Sequence, residues 1–178
     1  MSESDATDRP AAGAAIAWEN VARSAADSFG IHTNDEGSHS VRELLVFGLD
    51  DSAYAVPVER VREIVRMREL TRVPRSPGWL LGVVALRGEI VEVVDLRLRL
   101  GLGASESTRS SRIIVLHGET DRVAGILVDS VREVFRVAEE EIKPSQGLEM
   151  MSVVEMCRYG ADFVSILDID RALGMRDV

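Results

Sequence analysis

Cysteine and aromatic residues are scarce in this sequence of 178 residues, and there is no excess of basic charge. The single cysteine, Cys157, excludes a disulfide framework within the chain and favours a reducing compartment. Aromatic residues make up only 4% of the chain, so the core must be built from aliphatic side chains, and the frequent valines favour β-strands. The formal net charge of −9 repels phosphate backbones and therefore disfavours nucleic-acid binding.

Long apolar runs are also missing. No stretch approaches the roughly 20 apolar residues that a membrane-spanning helix needs. The amino-terminal segment is acidic and lacks the basic and then apolar order of a signal peptide. We therefore expect a cytoplasmic protein without direct membrane insertion, which other proteins would hold at a membrane if it acts there.

No pattern in the chain predicts a catalytic, metal or cofactor site. The three histidines, His32, His39 and His117, have no metal-ligand spacing with one another or with Cys157. Cys157 ends an apolar run, VVEMC, which is typical of a small buried hydrophobic residue rather than a nucleophile. Neither of the two glycine-rich phosphate-binding motifs occurs. We expect no enzymatic activity, no metal and no cofactor.

The chain divides into a tail and a folded domain. Residues 1–40 are rich in Ala, Ser, Asp and Gly, and we expect a flexible tail there. Apolar residues from Trp18 to Phe29 have helical spacing. This piece is either a transient helix, a helix docked on its own domain, or a docking helix for a partner. Residues 41–178 form the domain, with short apolar runs separated by breaks.

An internal repeat organises the domain. VERVREIVR at residues 58–66 returns as VDSVREVFR at residues 128–136. An apolar strand-like run precedes each copy, LLVF at residues 44–47 and IIVL at residues 113–116. The repeat halves are therefore roughly residues 41–105 and residues 106–178.

The ends of the two halves match as well. Each half closes with a strand that ends at an aspartate, Asp95 or Asp168, followed by a short helix that ends at a glycine. Aspartate is a good N-cap, so these carboxylates are predicted to cap the helices rather than to form a catalytic pair. Two strand-rich halves of equal size favour an all-β fold of two packed β-barrels, with a duplicated β-sandwich as the alternative.

Seven segments in order resemble the CheW family, and the resemblance covers about residues 41–175. They are F-x-L-x-x-x-x-Y-A-V-P-V from Phe47 to Val58, VREI at 61–64, TRVP at 71–74, PGWLLGVVALRGEI at 77–90, VVDLR at 93–97, GILVDSV at 125–131 and ILDID at 166–170. Two departures are Ala85, where the family usually has Asn, and Glu92, where it usually has Pro.

The resemblance implies a fold of two five-stranded SH3-like β-barrels formed by internal duplication, with short helices. It implies a non-catalytic scaffold that couples chemoreceptors to the histidine kinase CheA in bacterial chemotaxis. The implied partners are the regulatory domain of a CheA-type kinase and the cytoplasmic tip of a chemoreceptor coiled coil. The implied location is the cytoplasm, with recruitment to membrane-associated receptor arrays. The alternatives are an adaptor of a non-chemotactic kinase pathway such as surface motility, a small β-barrel enzyme, and an SH3-like nucleic-acid binder.

Four residues of the first half are candidates for the receptor or kinase interface. The resemblance points to Arg87, whose guanidinium fork suits a partner's carboxylate, and its neighbour Gly88 is a candidate because glycine permits the close approach of a partner. Val61 and Glu63 match the family's receptor-facing strand. A structural role is the alternative for each, because Val131 and Glu133 recur at the equivalent repeat positions and Gly88 suits a turn.

Three residues of the second half are candidates for a kinase interface. They are Gly125, Val128 and Val131. For Gly125 the alternative is a backbone position that only glycine tolerates. Tyr159 is expected at the place that corresponds to Arg87, which would mean that the fold itself does not require an arginine there.

Overall fold

The computed structural model describes residues 40–104, 106–118, 122–145 and 152–174. In these ranges the chain forms eleven β-strands, two one-turn α-helices and two 3₁₀ turns, Val58–Arg60 and Glu139–Glu141, so the prediction of an all-β fold is confirmed. The expectations for the tail, including the helical spacing from Trp18 to Phe29, concern residues 1–39 and lie outside the described part.

The two halves repeat one order of elements. The first half contains β1 (Val41–Leu49), β2 (Ser52–Pro57), β3 (Val61–Arg66), β4 (Leu80–Leu86), β5 (Glu89–Asp95) and helix α1 (Leu96–Arg99). The second half contains β6 (Arg112–His117), β7 (Val123–Val128), β8 (Ser130–Ala138), β9 (Lys143–Pro144), β10 (Val153–Tyr159), β11 (Asp162–Leu167) and helix α2 (Ile169–Ala172). Strand β9 has no strand as its counterpart in the first half, where an isolated bridge joins Thr71 to Val83.

The halves exchange hairpins when they form sheets. One sheet has six strands in the order β8-β1-β2-β11-β10-β9, and the other has five in the order β3-β6-β7-β5-β4. The β1–β2 hairpin of the first half therefore lies between strands of the second half, and the β6–β7 hairpin lies between strands of the first. Neither sheet belongs to one repeat half alone. The closure of each sheet into an SH3-like barrel stays a prediction from the resemblance.

The exchanged hairpins explain the continuous apolar runs of the sequence. In β1, Leu44 and Val46 face a core within the six-stranded sheet, while Leu45 and Phe47 face a core shared with the other sheet. Phe47 stacks on Tyr54 there, with ring centroids 6.3 Å apart. A strand that is buried on both faces needs apolar residues at every position rather than at every second one. β6 is buried in the same way, which accounts for its IIVL run.

Aspartates begin both helices, as predicted. A carboxylate oxygen of Asp95 accepts a hydrogen bond from the backbone N–H of Leu98 at 3.1 Å, and Asp168 accepts one from Arg171 at 3.1 Å. Gly101 and Gly174 follow the two helices with φ of 75° and 68°, the left-handed conformation that ends many helices. The N-cap assignment of the two aspartates is confirmed.

Three ion pairs connect the two sheets, one through Arg60 and two through Arg97. Arg60, just before β3, lies 2.8 Å from a carboxylate oxygen of Asp170 in α2. Arg97 in α1 lies 2.9 Å from Asp129, just before β8, and 3.3 Å from Asp50. Arg97 and Asp170 are the second residues of their helices, so the equivalent helix position carries a cation in one half and an anion in the other.

A pair of backbone hydrogen bonds holds the loop before β4 against the edge of its sheet, and a glycine leaves the space for this contact. The backbone N–H of Thr71 donates to Val83 O at 2.9 Å, and that of Val83 donates back at 2.8 Å. Gly82 lies beneath this bridge with φ of 149°, and a Cβ there would lie 2.5 Å from Thr71 O. We expect Gly82→Ala to break the bridge, because both the backbone conformation and the space exclude a methyl group.

Hydrogen exchange measures this effect, since the amides of Thr71 and Val83 are expected to lose protection in Gly82→Ala. Gly78→Ala is the control, because a Cβ at Gly78 meets nothing within 4 Å. Unchanged protection at both amides in Gly82→Ala would contradict the prediction.

Candidate protein-interaction surface

An arginine and a glutamate join the two edge strands of the five-stranded sheet. Glu63 lies on β3 and Arg87 in the β4–β5 turn, and strands β3 and β4 lie at opposite edges. Arg87 Nη2 nevertheless lies 3.4 Å from Glu63 Oε2. Arg62 of β3 pairs with Glu89 of β5 beside them. Two of the predicted site residues are thus brought together at the end of the sheet, where the Arg87 side chain is exposed and that of Glu63 is only 14% exposed.

Arg87 occupies a backbone conformation that is unusual for its residue type. Arg87 and Gly88 form the two-residue turn between β4 and β5, and their φ angles are 50° and 86°. A tight hairpin of type I′ requires positive φ at both central residues, and glycine, asparagine or aspartate normally supply it. The side chain of Arg87 is 67% exposed, so it gains no burial to offset the strained backbone.

The register of the second hairpin corrects one expectation. Tyr159 is the last residue of β10 and therefore corresponds to Leu86, the last residue of β4. The counterpart of Arg87 is Gly160, which has φ of 62°. The expectation that Tyr159 takes the place of Arg87 is wrong, because the sequence alignment of the repeats was displaced by one residue in this hairpin. The equivalent turn thus contains the glycine that its conformation favours.

Ile90 extends the exposed surface beyond the turn. It is the second residue of β5, and it is 76% exposed. We call Arg62, Glu63, Arg87, Gly88 and Ile90 the hairpin surface. It combines a forked cation, a glutamate and an apolar side chain, which is the composition of a small protein contact.

Val61 is placed in the core instead. It lies at the start of β3 with 8% exposure and belongs to the cluster that both sheets share. Its side chain can therefore fix the position of β3, on which Glu63 stands, but it offers little area to a partner.

The three candidates of the second half are mostly interior. Val128, at the end of β7, is fully buried. Gly125 is also buried, and a Cβ there would lie 2.6 Å from Ile113 Cγ2. Val131 on β8 is partly buried and packs against the shared core. Gly125 and Val128 thus expose no side chain for a kinase contact, and the structural alternative accounts for both.

In the second half, the glutamate that is equivalent to Glu63 also has a side-chain partner. Glu133 on β8, the repeat mate of Glu63, accepts a hydrogen bond from the hydroxyl group of Tyr159. Tyr159 also packs edge-to-face against Phe135 at 5.3 Å. Burial and the bond to Glu133 raise the pKa of the Tyr159 hydroxyl, so it stays a neutral donor near neutral pH. The glutamate is thus paired in both halves, with an arginine in one and a tyrosine in the other.

Sequence reasoning missed Ile90 and its counterpart in β11, Phe163, which is 59% exposed. Both are the second residue of a strand and share the outer face with a polar residue, Glu92 in β5 and Ser165 in β11. The alternation of side chains along a strand could have found them, because it places Ile90 and Phe163 on the face opposite to the buried Val91 and Val164.

The described residues form no cluster that could bind a metal ion. In that part of the chain, no three His, Cys, Asp or Glu side chains come together in a way that could hold a metal ion. Cys157 is buried, and desolvation raises the pKa of its thiol, which lowers the fraction of reactive thiolate. Over residues 40–104, 106–118, 122–145 and 152–174, no helix is long and apolar enough to cross a bilayer.

A rigid β framework that presents a strained, exposed arginine beside single apolar side chains defines a protein-interaction module. Comparison with known families agrees, since a model described as the CheW-like domain matches residues 43–177. The chain belongs to the CheW family, and it is a chemotaxis coupling scaffold.

Individual relatives support this assignment. The chain is 33% identical over 112 residues to the chemotaxis protein CheW of Helicobacter pylori, covering 63% of this chain and 67% of that one. It is 38% identical over 107 residues to CheW of Rhizobium meliloti, covering 60% and 68%. The crystal structure of the scaffolding protein TtCheW from Thermoanaerobacter tengcongensis superposes with a TM-score of 0.68 at 28% identity, covering 71% of this chain and 88% of that one.

Proposed function

We propose that this chain links the cytoplasmic tip of a chemoreceptor coiled coil to the regulatory domain of a CheA-type histidine kinase. It does so by contact alone, without catalysis, in the cytoplasm at membrane-associated receptor arrays. Membership of the CheW family supports the partners, and the composition of the hairpin surface supports a protein contact.

The backbone conformation of Arg87 is the main observation that supports a binding role for the hairpin surface. Gly160 occupies the same turn position in the second half, so the fold does not require an arginine. A residue kept in a strained conformation with an exposed side chain is more readily explained by a binding role than by stability. Gly88 allows the tight turn, and the carboxylate of Glu63 orients the guanidinium group of Arg87.

The pair between Arg87 and Glu63 suits exchange with a partner. Arg87 Nη2 and Glu63 Oε2 are 3.4 Å apart, and the arginine side chain is 67% exposed whereas that of Glu63 is 14% exposed, so solvent weakens the attraction on the arginine side. A carboxylate of a partner can compete with Glu63 for the guanidinium group. Signalling would then change the populations of the two pairings, which transmits information without a chemical step.

Arg87→Glu tests this role. The substitution replaces the guanidinium group with a carboxylate that faces Glu63, so partner contacts are lost while the fold persists. We expect recovery of the kinase or the receptors with the tagged protein from its native cells to fall at least about tenfold, which corresponds to about 1.4 kcal/mol. Quantitative mass spectrometry of the purified complexes measures this change.

Two further variants make the result specific. Arg158→Glu makes the same charge change at another exposed residue and is expected to leave recovery unchanged. The charge-swapped variant Glu63→Arg/Arg87→Glu restores an internal pair without restoring the partner contact, so its recovery is expected to stay low. Full recovery with the swapped variant, or unfolding of Arg87→Glu, would instead make Arg87 a structural residue.

A further inference from the structure

Four arginines cluster at the end of β3 and in the loop that follows it, before β4. Arg66, Arg68, Arg72 and Arg75 lie within ten residues, and all four are exposed. The only acidic residue of this stretch is Glu69. We call residues 66–75 the arginine loop, which carries a formal charge of +3 in a protein of net charge −9.

None of these four arginines has a partner in the described residues, since no ion pair or side-chain hydrogen bond there involves them. Most other arginines of the described ranges bind a carboxylate or a carbonyl group, for example Arg42, Arg60, Arg62, Arg97, Arg122 and Arg136. The protein has 30 acidic residues, so a lack of acids does not explain this concentration of unpaired charge. The arginine loop therefore offers unpaired positive charge to an anionic partner.

The loop is also ordered before it binds. The backbone bridge between Thr71 and Val83 fixes its middle, at 2.8 and 2.9 Å. The hydroxyl of Ser76 donates to Val73 O at 2.9 Å and fixes its end. Since the backbone is already held, an anionic segment that docks here would not have to order the loop, which favours binding.

The chain carries a matching acidic segment. Residues 1–39 contain seven acidic residues and two arginines, a net charge of −5 out of the total of −9. We propose that this amino-terminal segment docks on the arginine loop of its own domain. The proposal concerns an intramolecular contact and does not depend on the coupling function.

Attachment and reach favour this occupant. The segment is covalently joined to the domain, so its binding benefits from a high effective concentration. A chain of 39 residues can extend to about 130 Å, more than enough to reach any surface of a domain of this size.

The position where the segment joins the domain lies beside an acidic turn, which disfavours docking there. Ser40 O accepts a hydrogen bond from the backbone N–H of Glu139 at 2.9 Å. Glu139 begins an acidic turn, Glu139–Glu141, which lies in the β8–β9 connection of the second half. An acidic segment that starts beside this turn is repelled by it and attracted by the arginine loop.

Paramagnetic broadening in the full-length protein tests the contact. A nitroxide is attached at Ser24→Cys, and the buried Cys157 is expected to remain unlabelled. We expect selective broadening of the backbone amide signals of residues 66–75 at low salt. The broadening should fall at least about threefold at about 0.5 M salt, because exposed charges are then screened.

Charge reversal identifies the interacting groups. Arg68→Glu/Arg72→Glu is expected to abolish the broadening, and the dispersion of its spectrum reports that the fold is kept. Arg109→Glu/Arg158→Glu makes the same charge change at two exposed arginines elsewhere and should leave the broadening in place. Broadening that is spread over the domain, or that persists in Arg68→Glu/Arg72→Glu, would overturn the proposal.

Discussion

Replacement of Phe47 by alanine is expected to lower the free energy of unfolding by about 4 kcal/mol. Phe47 is fully buried in the core that both sheets share, where it stacks on Tyr54. Its removal leaves a cavity between the two sheets, so the loss affects the packing of the whole domain. Urea unfolding, followed by far-ultraviolet circular dichroism, measures the change.

Phe163→Ala is the matched control for this prediction. It makes the same chemical change at a residue that is 59% exposed, and we expect its unfolding free energy to stay within about 0.5 kcal/mol of the unsubstituted protein. A loss for Phe47→Ala that stays within about 0.5 kcal/mol, as expected for Phe163→Ala, would contradict a core contact of Phe47 between the sheets.

Arg60→Ala is expected to cost about 3 kcal/mol, because the buried carboxylate of Asp170 loses its ion pair with the guanidinium group of Arg60. Asp170 is only 5% exposed, and Arg60 Nη2 lies 2.8 Å from it. The pair joins the turn before β3 to helix α2, so its loss loosens the contact between the sheets. Thermal and urea unfolding measure the difference.

Two comparisons separate the buried charge from the pair itself. Arg62→Ala removes a partner of Glu89, whose side chain is 55% exposed, and should cost no more than about 1 kcal/mol. Arg60→Ala/Asp170→Ala is expected to be more stable than Arg60→Ala, since it also removes the buried charge that Arg60 faces. If the double variant is instead the least stable, the other contacts of Asp170 stabilise the fold more than its buried charge costs, and the prediction is wrong.

Local signals account for what the sequence predicted correctly. The apolar runs became strands because consecutive apolar side chains fill both faces of a buried strand, and the repeat of VREI and VREV marked equivalent strands. Asp95 and Asp168 were recognised as caps because capping depends on residues only three positions apart. The contact between Glu63 and Arg87 was not foreseen, although both residues were chosen through the resemblance.

Long-range pairing accounts for what the sequence did not predict. Periodicity shows which face of a strand is buried, but not which strand lies beside it, so the exchange of hairpins between halves remained invisible. The same limit affected Gly125 and Val128, which were chosen as surface residues and are buried by β6 and the shared core. The misplacement of Tyr159 arose because a shift of one residue in a turn leaves the surrounding pattern almost unchanged.

The exchange of hairpins between the halves also indicates how the fold evolved. A chain of half this length, with the same order of elements, could complete both sheets only as a two-fold symmetric dimer in which each subunit lends a hairpin to the other. Duplication and fusion would join the two subunits into one chain, after which each copy could change alone. The second helix residue is now Arg97 in one half and Asp170 in the other. The equivalent hairpin turns likewise differ, with Arg87 in one and Gly160 in the other. A symmetric dimer offers the same surface twice, whereas the fused form offers two different ones, as a connector between unlike proteins requires.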